Sequence, residues 1–183
     1  MLKRVLKVSE PEDEKPFEVI AANTRGKLAH ALMETTANSD VSPEAFLKVS
    51  SEYFDRFILE HPPLVPQKVA AEREKFLDMM KTAYPMAPHR KVILKEEEIH
   101  CEHESGVKLH GFPDRVEELD DGTCLVVDFK AGRDIKHTPD DIDTCLQIVL
   151  YAYIMEQKGY KISGGEYRYI QRGRRYPAGM TTK

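Results

Sequence analysis

The first half of the chain carries apolar residues three or four positions apart, which is the spacing of amphipathic helices. Three helices are predicted, over about residues 24–37, 42–60 and 66–83, with Thr24 and Ser42 as N-caps and Pro43 in the first turn. The expected buried positions are Phe46, Val49, Tyr53 and Phe57 in the second helix and Val69, Phe76, Met79 and Ala83 in the third. Residues 1–16, with two prolines and an acidic run, are expected to form a loosely ordered lead-in.

The pattern then changes to the alternation of β-strands. A first strand begins at Val92, a second is predicted over residues 107–117 and a third over 124–130, with Asp-Asp-Gly at 120–122 as a hairpin turn. A fourth helix is predicted to begin at Thr138 and Pro139 and to stop at Gly159, before a final strand over about 165–171. Its predicted buried stripe consists of Ile142, Leu146, Val149, Leu150 and Tyr153. This order predicts an α/β fold in which helices flank one central mixed β-sheet.

Composition limits the class of protein. A length of 183 residues and a hydrophobic content of 41% favour one globular domain over residues 1–183. The sequence has neither an apolar run long enough for a transmembrane helix nor an apolar N-terminal signal peptide, so we expect no membrane association. Cys101, Cys124 and Cys145 stand far apart and form no disulfide framework, which favours a cytoplasmic location.

The formal net charge of −4 does not by itself indicate nucleic-acid binding. The basic residues are nevertheless concentrated at the C-terminus, where Arg168, Arg172, Arg174 and Arg175 alternate with tyrosines. Arginines beside aromatic rings suit phosphate contact and base stacking. A solvated, arginine-rich terminus is an equally good interpretation of this segment taken alone.

The candidate chemistry lies on the predicted hairpin. Asp128 and Lys130 are two residues apart on a strand and therefore point to the same face, and the hairpin can bring Asp114 beside Asp128. Two close carboxylates repel each other unless a cation lies between them, and hard oxygen ligands favour Mg²⁺ or Mn²⁺. Such an ion activates water for phosphodiester hydrolysis, with Lys130 offsetting charge in the transition state. The alternative is a solvated charged face, but the apolar Cys124 and Val126 precede these charges on that face.

Four motifs in order extend this pattern over residues 26–151. They are G-K-L-A-H at 26–30, G-F-P-D-R at 111–115, D-F-K-A-G at 128–132 and Q-I-V-L-Y at 147–151. Together they resemble the RecB-type branch of the PD-(D/E)XK nucleases, which includes the nuclease domains of bacterial helicase–nucleases and CRISPR adaptation nucleases. The resemblance implies a restriction-endonuclease-like core and a DNA nuclease, more specifically an exonuclease.

The resemblance also implies roles for individual residues. Asp114 and Asp128 would bind the metal with help from the backbone carbonyl of Phe129, His30 would be a further ligand, and Lys130 would be the catalytic lysine.

The resemblance has further implications for the surroundings of the site and for its cofactors and partners. Gln147 and Tyr151 would line it and contact DNA, while Ala131 departs from the usual serine or threonine and is expected to tune the site. Many relatives carry an iron–sulfur cluster, but no cysteine precedes His30 and none follows Cys145, so no cluster is expected. DNA is the expected partner, together with a possible helicase domain or subunit.

Alternatives to this interpretation remain. One of Glu96, Glu97 and Glu98 could contact the site, although a charged strand end is the more ordinary interpretation of that run. A zinc site could be formed by His100, Cys101, His103 and His110. The chain could also be an inactive relative that binds nucleic acid or shapes a larger assembly.

Overall fold

The fold was analysed in a computed structural model, which describes residues 22–37, 41–62, 65–87, 90–132 and 146–178. The predicted lead-in, the predicted start of the fourth helix at Thr138 and Pro139, and the predicted buried position Ile142 lie outside the described residues. So does Cys145.

Three helices form one layer of the structure. Their bounds are Ala22–Thr35 (α1), Pro43–Glu60 (α2) and Val69–Ala83 (α3), and short 3₁₀ turns at Pro66–Lys68 and Tyr84–Met86 flank α3. The predicted cap of α2 is confirmed, because the Ala45 backbone N–H donates to the Ser42 hydroxyl at 3.2 Å. The predicted helical half of the chain is therefore present, with bounds shifted by a few residues.

The predicted buried face of α2 is partly wrong. Phe46 is buried as expected, but the other buried residues are Ser50 and Phe54, and the rest of the predicted face is only half-buried. Phe54 packs against Phe76 of α3 with ring centroids 5.5 Å apart. Both sets of positions have helical spacing, so the partner helix decides which of them faces inward.

Within the described residues, seven strands follow the helices, with α4 (Leu146–Gln157) between the fifth and the sixth. Their bounds are Val92–Lys95 (β1), Ile99–Glu102 (β2), Lys108–Gly111 (β3), Arg115–Glu118 (β4), Cys124–Lys130 (β5), Ile162–Tyr169 (β6) and Arg174–Ala178 (β7). Five strands form a mixed sheet in the order β1-β4-β5-β6-β7, in which only β5 and β6 are parallel. Strands β2 and β3 form a separate antiparallel hairpin. The predicted α/β fold with a mixed sheet flanked by helices is confirmed.

The predicted second strand, over 107–117, is in fact two strands in two different sheets. It breaks at residues 112–114, where Pro113 has no backbone N–H to continue the strand ladder. The prediction also omitted β2 and β7, and it placed the last predicted strand three residues too late at its start. The break has a consequence for the site, because it leaves Asp114 outside the ladder, at the first residue before β4.

The predicted buried stripe of α4 is also partly wrong, although Leu150 is half-buried and packs against the core as expected. Leu146 and Val149 are 69% and 39% exposed, whereas the buried residues of α4 are Ile148, Tyr151, Ala152, Ile154 and Met155. Apolar residues occur around the whole helix, so spacing alone could not select a face. The helix contacts both the central sheet and the β2–β3 hairpin, which explains why it is so apolar. It ends at Gln157, shortly before Gly159, as predicted.

The central sheet has a hydrophobic core on each face. Val127 and Phe129 of β5 pack with α1–α3, whereas Val126 of β5 packs with α4. Because side chains alternate along a strand, Asp128 shares the α4 face with Val126. In the part of the chain that the structure describes, no helix is both long and apolar enough to cross a membrane.

Candidate active site

The last residues of β5 bring two predicted site residues together. The Lys130 ammonium nitrogen lies 2.6 Å from Asp128 Oδ2 and donates a hydrogen bond to Gln147 Oε1 of α4 at 3.3 Å. Asp128 is buried, while Lys130 is half-buried. The predicted shared face of Asp128 and Lys130 is confirmed, and the fourth motif is joined to the third by a direct contact.

Asp114 lies beside the same strand end, as the hairpin predicted. Its Oδ2 accepts a hydrogen bond from the Phe129 backbone N–H at 2.5 Å. The same oxygen lies 3.7 Å from His30 Nδ1, and the His30 ring meets the Phe129 ring edge-to-face with centroids 6.0 Å apart. The first, second and third motifs therefore converge, although α1 is distant from the hairpin in sequence.

Glu96 also belongs to this group. The sequence alone did not decide whether Glu96, Glu97 or Glu98 contacts the site. One ligand atom each from His30, Glu96 and Asp114 lie within 4.8 Å of one another. Glu96 follows β1 with a φ of 45°, an uncommon backbone conformation for a residue other than glycine, and its N–H donates to the Asp114 carbonyl at 3.3 Å. Three consecutive glutamates marked the region, but only the backbone bend selects Glu96.

The donor set fits a divalent cation. One imidazole nitrogen and two carboxylates are ligands that Mn²⁺ accepts, and carboxylates also suit Mg²⁺. Asp128 lies outside the three-residue group, and its buried Oδ2 is paired with the Lys130 ammonium at 2.6 Å. Within those residues, the alternative zinc ligands His100, Cys101, His103 and His110 do not form such a group.

The ionisable groups of the site influence one another strongly. Burial, followed by the nearby Asp128 charge, raises the pKa of Asp114 to about 7, against the lowering effect of its hydrogen bond from Phe129. Burial and then the Asp114 charge raise the pKa of Glu96. Burial lowers the pKa of His30, so its ring favours the neutral form that can bind a metal. Each of these shifts disfavours the charged form of its group, so the site would gain from a cation that stabilises the carboxylates.

Gln147 and Tyr151 have different roles from each other. The Gln147 amide donates to the Tyr151 hydroxyl at 2.8 Å, and Tyr151 is buried with 7% exposure. Gly111 makes this packing possible, because a Cβ there would lie 2.3 Å from a Tyr151 ring carbon. Tyr151 is therefore poorly accessible for the DNA contact predicted for it, and it holds Gln147; DNA contact by the exposed Gln147 stays a prediction.

The unusual Ala131 has a packing explanation. A Cβ added to Gly26 of α1 would lie 2.9 Å from the Ala131 Cβ, which is too close without movement of one of the two. The glycine of the first motif thus lets α1 approach the end of β5. A small residue at position 131 suits that approach.

The C-terminal arginines do not form one group. Arg168 is buried and donates to both Glu117 carboxylate oxygens, at 2.6 and 2.7 Å, so it is not available for the DNA contact predicted for it. Arg172 lies in the turn between β6 and β7, and Arg174 and Arg175 lie on β7; all three are exposed. DNA contact by these three residues is untested; Arg175 is the least available of them, because it donates to the Pro85 carbonyl and lies 4.0 Å from Glu166.

Comparison with known proteins identifies the family of the chain. No curated protein matches the chain. The chain is similar to a solved structure described as "Crystal structure of SSO0001". The similarity covers 83% of this chain and 74% of that chain, with 17% sequence identity and a TM-score of 0.39. The model of the PD-(D/E)XK nuclease superfamily matches residues 1–181, and nucleases of this superfamily use divalent metals. The chain therefore belongs to the PD-(D/E)XK nuclease superfamily.

Proposed function

We propose that this protein is a divalent-metal-dependent DNA nuclease of the RecB-type branch, and that it acts as an exonuclease. The observation that supports this most directly is the group formed by His30, Glu96 and Asp114 beside the Asp128–Lys130 pair. It joins ligands for a hard cation to a lysine that can contact a phosphate. The exonuclease and RecB-type assignments rest on the four motifs.

His30, Glu96 and Asp114 would hold the cation, with Asp128 and the Phe129 carbonyl as further donors. When bound, Mg²⁺ or Mn²⁺ supplies charge neutralisation at a phosphate oxygen and an acidified water. The burial of Asp114 and Asp128 keeps the carboxylates away from bulk water, so a cation is held more strongly there than at an exposed site.

Lys130 would stabilise the negative charge that develops on the phosphate during hydrolysis. Its ammonium is oriented by Asp128 on one side and by Gln147 on the other. Tyr151 fixes Gln147 through its hydroxyl, so the lysine is positioned by a chain of contacts that reaches into the α4 core. An oriented donor needs little reorganisation as the reaction proceeds.

The test is cleavage of labelled single- and double-stranded DNA with Mg²⁺, Mn²⁺ or EDTA. We expect products with either metal and none with EDTA. A closed circular single-stranded DNA of the same sequence separates the modes of action, because an exonuclease leaves it intact. Cleavage of the circle would contradict exonuclease action. DNA binding without cleavage under every metal condition would favour the alternative, an inactive domain that binds nucleic acid or assembles with a helicase subunit.

A further inference from the structure

A cavity lined by basic side chains lies near the candidate active site. It has a volume of about 480 Å³ and opens between the start of α1, the face of α3 and the turn that joins β6 to β7. Three basic side chains line it, one from each of these elements: Arg25, Lys75 and Arg172. We refer to these three residues and their cavity as the basic pocket.

Two of the three cations are held in place by one buried carboxylate. Glu72, only 5% exposed, accepts a hydrogen bond from Arg25 Nη2 and another from Lys75 Nζ, both at 2.8 Å. Burial would raise the pKa of Glu72, but the contacts with Lys75 and Arg25 outweigh it and lower that pKa. The single negative charge of Glu72 orients two positive groups and cannot neutralise both.

The acidic residue that lines the cavity is also paired with a cation. Asp78 lines the cavity and lies 3.0 Å from Lys81 Nζ on the same helix. The third cation, Arg172, comes from a turn that is closed by a hydrogen bond from its own N–H to the Tyr169 carbonyl at 3.0 Å. Among the described residues that line it, the basic pocket has three basic side chains and one acidic side chain, in a chain whose overall charge is negative.

The basic pocket and the candidate active site lie at the same end of the strands of the central sheet. The Ile170 N–H, two residues before Arg172, donates to the Lys130 carbonyl at 3.0 Å. Gly26, the neighbour of Arg25, approaches Ala131 directly after Lys130. Arg25 and His30 are both on α1 and are separated by roughly 7 Å of helix rise.

We propose that the basic pocket binds a backbone phosphate of the DNA strand that is cleaved, near the scissile one. This inference rests on the proposed function, because it takes nucleic acid as the substrate. Guanidinium and ammonium groups in a fixed arrangement suit phosphate oxygens. A phosphate held in the basic pocket would fix the position of the DNA strand relative to the candidate active site. The phosphodiester bond that lies beside Lys130 would then depend on where the pocket holds that phosphate.

The experiment is a set of binding titrations with a single-stranded oligonucleotide at several salt concentrations. The background is Asp128→Asn with Mg²⁺ present, which is expected to block cleavage. Lys75→Gln and Arg172→Gln remove one pocket cation each, and Arg25 stays to pair with Glu72. Lys91→Gln is the matched control, because Lys91 is likewise exposed and ion-paired, 2.7 Å from Glu118, at the opposite end of the sheet.

We expect each pocket variant to lower the salt slope by up to roughly 0.7–0.9, the value of one lost phosphate contact, and the control to leave it unchanged. Unchanged slopes in both pocket variants, or an equal decrease in the control, would overturn the proposal. A parallel thermal-unfolding series with inorganic phosphate tests the other source of the same chemistry. Stabilisation by phosphate that disappears in Lys75→Gln, with unchanged oligonucleotide slopes, would assign the pocket to free phosphate and also overturn the proposal.

The cleavage assay separates this inference from the proposed function. If the wild-type protein cleaves DNA and the pocket variants keep their slopes, the pocket inference fails while the nuclease assignment stands. If the wild-type protein does not cleave and the pocket variants still lose slope, the nuclease assignment fails while phosphate binding by the basic pocket stands. Thermal unfolding of each variant without ligand confirms that the fold persists.

Discussion

Asp114 and Arg115 are neighbours in the chain, yet they belong to two charged clusters that differ in how their charge is compensated. Arg115, at the start of β4, points to the helical layer and joins Glu117 and Arg168 there. Asp114, one residue earlier, faces the metal-ligand group. The Arg115 cluster is buried, whereas in the Asp114 cluster Asp128 is buried, His30, Asp114 and Lys130 are half-buried and Glu96 is exposed.

The first cluster is balanced by the protein itself. Arg168 makes a two-pronged contact with Glu117 and lies 3.0 Å from Glu166, while Arg115 lies 3.6 Å from Glu117. Burial alone would raise the pKa of Glu117, but hydrogen bonds and charge from Arg168 outweigh it and lower that pKa. The Arg115 and Arg168 guanidinium groups also lie over the Phe129 ring, and they donate to the carbonyls of Met33 and Met86, respectively. This cluster connects the helical layer to the sheet.

The second cluster is not balanced by the described residues. Glu96, Asp114 and Asp128 face one lysine, Lys130, and a histidine whose ring favours the neutral form. The pKa of Asp114 rises to about 7, opposite in direction to that of Glu117. Charged side chains therefore stabilise the fold where the chain supplies the counter-charge. They indicate a ligand site where a bound ion must supply it.

The largest expected effect is on catalysis by the unbalanced cluster. Lys130→Ala should lower cleavage by roughly 10²–10³-fold, because a donor to the transition-state charge is lost. Asp128→Asn should reduce cleavage to background without unfolding the protein, since it relieves repulsion with Asp114. Rates are measured on end-labelled DNA with Mn²⁺, and Lys91→Gln serves as the control for loss of a cation elsewhere. Wild-type rates in either site variant would remove these residues from the mechanism.

The next largest effect concerns the balanced cluster. Glu117→Gln leaves Arg168 and Arg115 buried without their carboxylate, and the free energy of unfolding should fall by roughly 3–5 kcal/mol. The adjacent Glu118 offers a matched control, because its contact with Lys91 lies at the surface and Glu118→Gln should cost at most roughly 1 kcal/mol. Urea unfolding of both variants gives the comparison. Equal costs would mean that Glu117 is not the structural centre of the cluster.

The sequence was sufficient for residues whose position depends on local rules. Asp128 and Lys130 share a face because of strand alternation, and Asp114 comes beside them because β4 and β5 are antiparallel neighbours. The cap of α2 at Ser42 likewise depends on its nearest neighbours along the chain. These predictions needed no knowledge of what packs on the sheet.

Predictions failed where tertiary contacts choose among equivalent patterns. The face of α4 could not be read because the helix is covered by the central sheet and by the β2–β3 hairpin. Phe54 and Phe57 both had helical spacing, and α3 selected Phe54. Glu96 was one of three equal glutamates until its backbone bend aimed it at His30 and Asp114. Arg168 looked like its exposed neighbours, although its partners Glu117 and Met86 are distant in sequence.

A smaller effect links the unbalanced cluster to pH. The folded pKa of Asp114, about 7, lies above its ordinary value of 3.8, so the folded state holds a proton that the unfolded state releases. The stability due to this proton is fully present below about pH 4 and is lost as the pH rises through about 7. In EDTA, raising the pH from about 6 to about 8 should therefore cost about 1 kcal/mol that Asp114→Asn does not lose.

Divalent metal should reverse this trend, because it binds the deprotonated carboxylate. Thermal unfolding of the wild-type protein and of Asp114→Asn, each with EDTA and with Mn²⁺, measures both effects. Stabilisation of the wild-type protein by Mn²⁺ should be larger at about pH 8 than at about pH 6. A wild-type pH dependence in EDTA identical to that of Asp114→Asn would show that Asp114 is ionised without metal, and the contrast with Glu117 would disappear.

The smallest expected effect concerns Arg174 and Arg175 of β7, and it tests whether each of them belongs to the balanced cluster or contacts DNA. Arg175 donates to the Pro85 carbonyl and lies 4.0 Å from Glu166, so it extends the balanced cluster, whereas Arg174 is exposed on the same edge strand. Arg174→Gln should lower the salt slope of DNA binding by up to roughly 0.7–0.9, as expected for one phosphate contact. Arg175→Gln should leave the slope unchanged and lower stability by less than roughly 1 kcal/mol, because its ion pair is partly exposed. Both variants remove one positive charge from β7, three strands away from β4, so their overall electrostatic effect is the same and only the local contact differs. An equal loss of slope in the two variants would mean that Arg175 leaves Pro85 and Glu166 to bind DNA, and that the balanced cluster ends at Arg168.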